Sequence, residues 1–207
     1  MSRSVEFLLA GLMAIILVPV MAILSVVVLL VDGRPVFFTQ SRMKSPTESF
    51  TLVKFRTLTV VEDEDGVLGG DKLARITPLG RILRKSRMDE LPQLWNILRG
   101  DIGFVGPRPP LRRYVERFPE IYGEVLKGRP GVTGLATLLY HGKEEVLMAQ
   151  CRTGEEAEAV YERVCIPAKA RLDLLYAKHK SPCLDLRMIV ATLWRRLPPV
   201  PRPQRKL

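Results

Sequence analysis

The sequence predicts an α+β fold, mainly helical, with an apolar membrane element ahead of a small domain that carries short strands. Three observations carry this. Residues 7–31, FLLAGLMAIILVPVMAILSVVVLLV, hold no charge. Two short runs, at 35–40 and 50–56, have strand character. Beyond residue 76, apolar residues recur at helical spacing in several segments.

The apolar run comes first in the chain. At about 1.5 Å per residue it is long enough to cross a hydrocarbon layer of roughly 30 Å. It is too long for a cleaved leader, and no A-x-A-like site precedes Asp32. Pro19 sits near its middle, where a missing N–H and a clash with the preceding turn predict a kink. Arg3 lies on one side of the run and Arg34 and Arg42 on the other, so both ends suit the cytoplasmic face. The residues alone fit a kinked spanning helix and a re-entrant hairpin broken at Pro19 equally well.

After the Asp32-Gly33 turn, the stretch 35–40 reads as a short strand and 41–49 as a polar connection. The stretch 50–56 alternates as a half-buried strand, which places Lys54 and Arg56 on one face. The acidic, glycine-containing stretch 62–70 reads as a loop. Thr77-Pro78 is an N-cap followed by a first-turn proline, opening a helix with Leu79, Ile82 and Leu83 apolar. A second helix is predicted over 89–98, with Leu91, Leu94, Trp95 and Leu98 apolar and Gly100 as its stop. Further helices are predicted over 112–118, 120–127, 155–163 and 168–177, with an Arg129-Pro130-Gly131 turn after the second of them. The stretch 184–197 puts Leu186, Ile189, Leu193, Trp194 and Leu197 on one side. Its arginines reach outward, so it reads as a core helix or an interfacial one. The tail 198–207 is basic and proline-rich.

Composition bounds the partners. The 207 residues hold 32 Lys and Arg against 22 Asp and Glu, a net charge of +10, which favours anionic partners. Aromatic residues are only 7% of the chain, too few to interleave with the basic residues as nucleic-acid stacking surfaces require. Cys151, Cys165 and Cys183 lack C-x-x-C spacing and read as free thiols. With His141 and His179 the only histidines, the sequence argues against a structural zinc site. Walker-type, dinucleotide-binding and G-x-S-x-G motifs are absent from the sequence.

The chemistry-bearing stretch is 84–109, RKSRMDELPQLWNILRGDIGFVGPRP. Pro92 is tolerated only in a first helical turn, which puts Asp89 and Glu90 at a helix N-terminus. Alone, such a pair is explained by capping. Its surroundings support more. Arg81, Arg84, Lys85, Arg87, Arg99 and Arg108 flank the pair. Such cations hold acids ionised, attract a polyanionic substrate and leave carboxylates free for a divalent metal. Adjacent positions on a helix lie about 100° apart, so the two acids take different roles. Gly106-Pro107-Arg108-Pro109-Pro110 is a rigid turn presenting one arginine, suited to clamp a phosphate.

These segments together resemble the bacterial sugar transferases, the monotopic phosphoglycosyl transferases that begin glycan assembly on polyprenyl phosphate. The likeness rests on GRPVFFTQSR with TLVKFRTL, on RITPLGRILRKSRMDELPQLWNILRGDIGFVGPRP, on RPGVTGLA, and on LDLLYAKHKSPCLDLRMIVATL. The resemblance implies a re-entrant helix–break–helix at Pro19 (residues 1–32), interfacial amphipathic helices, and a catalytic domain over 33–197. It implies residence on the cytoplasmic face of a bacterial inner membrane, among lipids and downstream glycosyltransferases. It implies an aspartate nucleophile, Asp89, that attacks the β-phosphate of a nucleoside diphosphate sugar, usually uridine-linked, and forms a phosphosugar–enzyme intermediate. Polyprenyl phosphate (undecaprenyl phosphate in bacteria) then takes the sugar phosphate. Mg²⁺ is the implied cofactor, with Asp89 and Glu90 as its candidate ligands and Glu90 the partner of Asp89 in metal binding or proton handling. Lys54, Arg84, Arg108 and Asp173 match substrate-binding positions. The sequence departs from the family's pattern at Val18-Pro19, in SRMKSPTESF and in TLLYHGK after RPGVTGLA. Two other readings compete: a membrane-tethered basic binding protein whose Asp89-Glu90 pair is only a cap, and a nucleotide-sugar hydrolase.

Overall fold

A computed structural model describes residues 2–60 and 75–193. The stretch 62–70, the end of the last predicted helix with Trp194 and Leu197, and the tail 198–207 lie outside the described residues.

Helix α1, Arg3–Val31, is one uninterrupted helix that runs through Pro19. The expected break is thus not a break in secondary structure, although Pro19 has no N–H to offer the preceding turn. Both halves of α1 pack on the same body. Leu9, Ala10, Met13, Ala14 and Leu17 join a core with Leu94, Ile97, Ile102 and Phe104. Met21, Leu24 and Val28 join Phe55 and Leu83 in a second. The opposite face, including Phe7, Leu8, Leu12, Ile15, Ile16, Ile23 and Leu30, is exposed. At its end, Thr77 Oγ1 donates to Asp32 Oδ2 at 2.9 Å, and Arg56 Nη2 donates to the carbonyls of Asp32 and Gly33.

Strands β1 (Phe37–Met43) and β2 (Ser49–Phe55) form an antiparallel hairpin registered from Phe37 opposite Phe55 to Met43 opposite Ser49. The first strand is longer than its sequence pattern: Ser41 to Met43 belong to it, not to the polar connection, because Met43 is buried and its N–H donates to Pro110 O at 3.0 Å. The turn closes on Ser45 Oγ, which accepts from Glu48 N at 3.0 Å.

Helix α2 (Pro78–Ser86) starts as predicted, with Thr77 Oγ1 accepting from Gly80 N at 2.8 Å. Leu83 is buried, whereas Ile82 is exposed. A short 3-10 turn, Met88–Glu90, then precedes helix α3 (Gln93–Arg99), which stops at Gly100 with φ 82°. Buried Asn96 of α3 ties this unit to β2, donating from Nδ2 to Thr51 O at 2.8 Å and accepting from Val53 N at 3.2 Å. Trp95, expected on the apolar face of α3, is exposed beside it.

Strand β3 (Gly103–Val105) pairs in parallel with β4 (Gly131–Thr133), and between them lie α4 (Arg112–Arg117) and α5 (Pro119–Val125). The segment read as an Arg129-Pro130-Gly131 turn therefore leads into a strand. Here two backbones touch: a Cβ on Gly131 would stand 2.2 Å from Gly106 N, so only glycine lets them approach. Helix α6 (Leu135–Gln150) and helix α7 (Gly154–Val160) follow; a π-helical turn, Tyr161–Cys165, joins α7 to α8 (Ile166–His179). The last described helix is α9 (Pro182–Leu193). Its predicted single face splits: Ile189 packs on the core while Leu186 is exposed, and Met188 and Ala191 are the buried positions.

Candidate active site

The 3-10 turn, the hairpin, the turn after β3 and helices α6 and α8 line an open cavity of about 600 Å³. Its lining includes all six residues singled out in the sequence: Lys54, Arg84, Asp89, Glu90, Arg108 and Asp173.

Asp89 and Glu90 do not occupy the first turn of α3. They form the separate 3-10 turn, and Pro92 stands at the cap of α3, so the proline constraint is met one step later. The turn is entered through Arg87 at φ 61°, a left-handed conformation uncommon for a residue with a side chain. This reversal re-aims the chain after α2.

The acids are treated differently by their surroundings. Glu90 accepts from Arg108 Nη1 at 3.0 Å and faces Arg87 Nη1 at 3.6 Å. Burial works against its charge, but Arg108 and Arg87 outweigh that and hold the carboxyl below its usual range. Asp89 is 7% exposed, and its Oδ1 has no hydrogen-bond partner. Burial first and Glu90 second push its carboxyl upward, against the pull of Lys54, Arg84 and Arg108. The cations therefore lower the Glu90 carboxyl but not that of Asp89. Desolvation and a neighbouring negative charge win.

Arg84 is positioned by its Nε, which donates to Thr57 Oγ1 at 2.8 Å. Thr57 is in turn pressed against α2, where a Cβ on Gly80 would stand 2.3 Å from Thr57 O. Lys54 Nζ lies 4.9 Å from the centre of the Phe38 ring. Arg56, expected beside Lys54, instead turns to the end of α1. The alternation of β2 ends at Phe55, so the shared-face expectation does not extend past it.

Sequence reading missed several residues. Arg42 donates from Nη1 to Pro109 O at 3.2 Å and from Nε to Gln40 Oε1 at 3.0 Å, bracing the arginine-presenting turn. Burial and nearby Arg108 push its guanidinium down to about 10. Its signal was the continuation of strand alternation through Gln40 and Arg42. On the facing wall, Lys169 Nζ reaches Glu144 Oε2 at 3.1 Å and Tyr161 OH at 3.3 Å. Beside them Asp173 is buried, with Oδ1 unpartnered, and burial pushes its carboxyl up to about 7 against Lys169 and an Ala136 backbone hydrogen bond. No local motif marks Glu144 or Lys169, since they meet only when α6 packs on α8.

The chain matches the bacterial sugar transferase family over residues 1–198 and belongs to it. It is 36% identical over 167 residues to the uncharacterized sugar transferase EpsL of Bacillus subtilis, covering 81% of this chain and 72% of that protein. It is 31% identical over 198 residues to a UDP-glucose:undecaprenyl-phosphate glucose-1-phosphate transferase of Klebsiella pneumoniae. It is 29% identical over 197 residues to a UDP-N-acetylgalactosamine-undecaprenyl-phosphate N-acetylgalactosaminephosphotransferase of Aeromonas hydrophila. Those two matches cover 93% and 92% of this chain but only 39% and 42% of the respective relatives.

Proposed function

We propose that this protein transfers a sugar-1-phosphate from a uridine diphosphate sugar to undecaprenyl phosphate through a covalent intermediate on Asp89. The observation that carries the reading is the pairing of a buried, unpartnered Asp89 oxygen with a neighbour, Glu90, already committed to Arg108. A cap would spend its carboxylate oxygens on backbone N–H groups. Asp89 Oδ1 has no such partner and lines a cavity walled by Lys54, Arg84 and Arg108.

In this mechanism the cations receive the donor's diphosphate, and Asp89 attacks the β-phosphorus. The bond from that phosphorus to the bridging oxygen breaks, the nucleoside monophosphate leaves with the electron pair, and an acyl phosphate to the sugar remains. An oxygen of the lipid phosphate then attacks the same phosphorus and Asp89 departs as a carboxylate. Arg84 and Arg108 neutralise charge that grows on the phosphoryl oxygens. Burial and Glu90 raise the Asp89 carboxyl, so its carboxylate is the more basic and the stronger nucleophile.

Magnesium fits this donor set in part. Asp89 offers an unpartnered hard oxygen, and Mg²⁺ ordinarily takes one or two carboxylates with water and substrate phosphates. Among the described residues there is no group of three His, Cys, Asp or Glu that would enclose a metal. Asp89 and Glu90 would therefore hold Mg²⁺ only together with the donor. When bound, the ion supplies charge neutralisation of the diphosphate.

The cytoplasmic face of the inner membrane is the proposed location. What supports it is α1, long and apolar enough to cross a membrane, with only 6% of its most apolar window buried. Both halves of this continuous helix pack on one body, which supports an in-plane seat over a spanning helix. Cysteines introduced at positions 2 and 34 should label from the same side of sealed vesicles; opposite sides would overturn that seat.

The function is tested by incubating the full chain in lipid with UDP-sugars and Mg²⁺, with and without undecaprenyl phosphate. Acceptor-dependent release of UMP is expected. Release without acceptor would mean hydrolysis, and no release from any donor would leave a binding protein.

A further inference from the structure

The membrane helix carries one buried acid. Glu6, in the first turn of α1, is 6% exposed, and Arg129 Nη2 donates to its Oε2. The fit around this pair is close. A Cβ on Gly103 would stand 2.7 Å from Glu6 Oε1, and one on Gly100 would stand 2.6 Å from Arg3 Nη2. Both glycines belong to the segment that follows the catalytic turn, so the leading end of α1 rests on the backbone of that segment.

From Arg129 the connection to the site is short and bonded throughout. Pro130 O accepts from Gly103 N at 2.8 Å, Gly131 N donates to Pro107 O at 2.9 Å, and Gly106 N donates to Thr133 O at 2.9 Å. A Cβ on Gly106 would stand 2.4 Å from Arg129 O, so the two turns have no slack between them. The next residue after Pro107 is Arg108, which holds Glu90. A displacement of Arg129 has to move the turn that aims Arg108.

We propose that the Glu6–Arg129 pair is a lock that seats the leading end of the membrane helix on the catalytic body and thereby positions Arg108. Glu6 and Arg129 are positioning residues; neither lines the cavity. A charge at this point would otherwise be a liability. An acid at the head of an apolar helix favours water or a cation, and Arg129 supplies the cation on the domain side, away from lipid. The lock couples membrane seating to catalysis: only a chain whose α1 is docked has its phosphate-clamping arginine in register. The coupling to turnover rests on the transferase reading given above; the mechanical part does not.

The test uses the full chain in lipid nanodiscs, comparing wild type with Glu6→Gln, Arg129→Gln, the double neutral variant and the reversed pair Glu6→Arg/Arg129→Glu. Hydrogen exchange reads the mechanics. Each single variant should exchange roughly tenfold faster in residues 3–10 and also in 103–110. The double neutral variant should lose no more than the worse single, because the partners act as a unit. The reversed pair should recover part of the protection. Faster exchange confined to 3–10, or additive losses in the double variant, would overturn the lock. In the activity arm, kcat should fall about tenfold with little change in KM for the nucleotide sugar. A normal kcat in a variant whose 103–110 segment has loosened would overturn the coupling to Arg108. A wild type without acceptor-dependent activity would instead overturn the transferase reading, and exchange alone would then decide the lock.

Discussion

The two walls of the cavity repeat one arrangement with different outcomes. On the hairpin side, Arg108 grips Glu90 beside Asp89, whose Oδ1 is unpartnered; on the helical side, Lys169 grips Glu144 near Asp173, whose Oδ1 is also unpartnered. The difference is the number of cations around the free acid. Asp89 feels Lys54, Arg84 and Arg108, whereas among the cations of the described residues only Lys169 draws on Asp173. Burial raises both. In the proposed mechanism, the three cations of the first wall receive the diphosphate that Asp89 attacks. The second wall holds a carboxyl that is half-protonated near neutrality, suited to hydrogen-bond a neutral part of a substrate.

The contrast can be broken most decisively at Asp89. Asp89→Asn should lower acceptor-dependent UMP release by roughly a thousandfold or more, and intact-protein mass spectrometry should find no phosphosugar adduct. Near-normal turnover in that variant would transfer the nucleophile's role elsewhere. Next in size is Arg108→Lys, which keeps the charge and loses the guanidinium fork. Turnover should fall about a hundredfold, and thermal stability should fall as well because Glu90 loses its partner. An unchanged rate would mean that charge alone suffices at this turn.

Asp173→Asn sharpens the other wall. Because folding raises the Asp173 carboxyl from 3.8 to about 7, the folded state holds the proton more tightly than the unfolded chain. Its contribution to stability is complete below the ordinary value and is lost as pH rises through about 7. The asparagine variant escapes that loss, so its stability relative to wild type should grow from pH 4 to pH 7 by at most roughly 4 kcal/mol. Thermal melts of both proteins across that range measure the effect; parallel curves would refute the buried-acid description.

Much of this was legible along the chain wherever the cause was local. Thr77-Pro78 announced a helix start, Gly100 a stop, and the Pro-Arg-Pro turn a fixed arginine, because capping and restricted φ act within a few residues. Charge density located the site as well. Legibility failed where partners lie far apart in sequence. Strand alternation hinted at the direction of Arg42 but not at its contact with Pro109, 67 residues away, and the Glu144–Lys169 pair needed α6 packed on α8. The direction of the shift at Asp89 failed for the same reason. Counting nearby cations predicts a lowered carboxyl, but burial is a property of the assembled body and outweighs them.

The sequence by itself determined an apolar element, the hairpin strands, the capped helices and a basic stretch centred on Asp89-Glu90, since each follows from residue type and spacing; it did not reveal β3, β4 or α6. Only the tertiary structure decided that α1 lies along the domain at both ends, that Asp89 Oδ1 is left without a partner while Glu90 is gripped, and that Arg129 connects the apolar helix α1 to the segment behind the site. Those outcomes depend on burial and on contacts between distant residues, which no local pattern records.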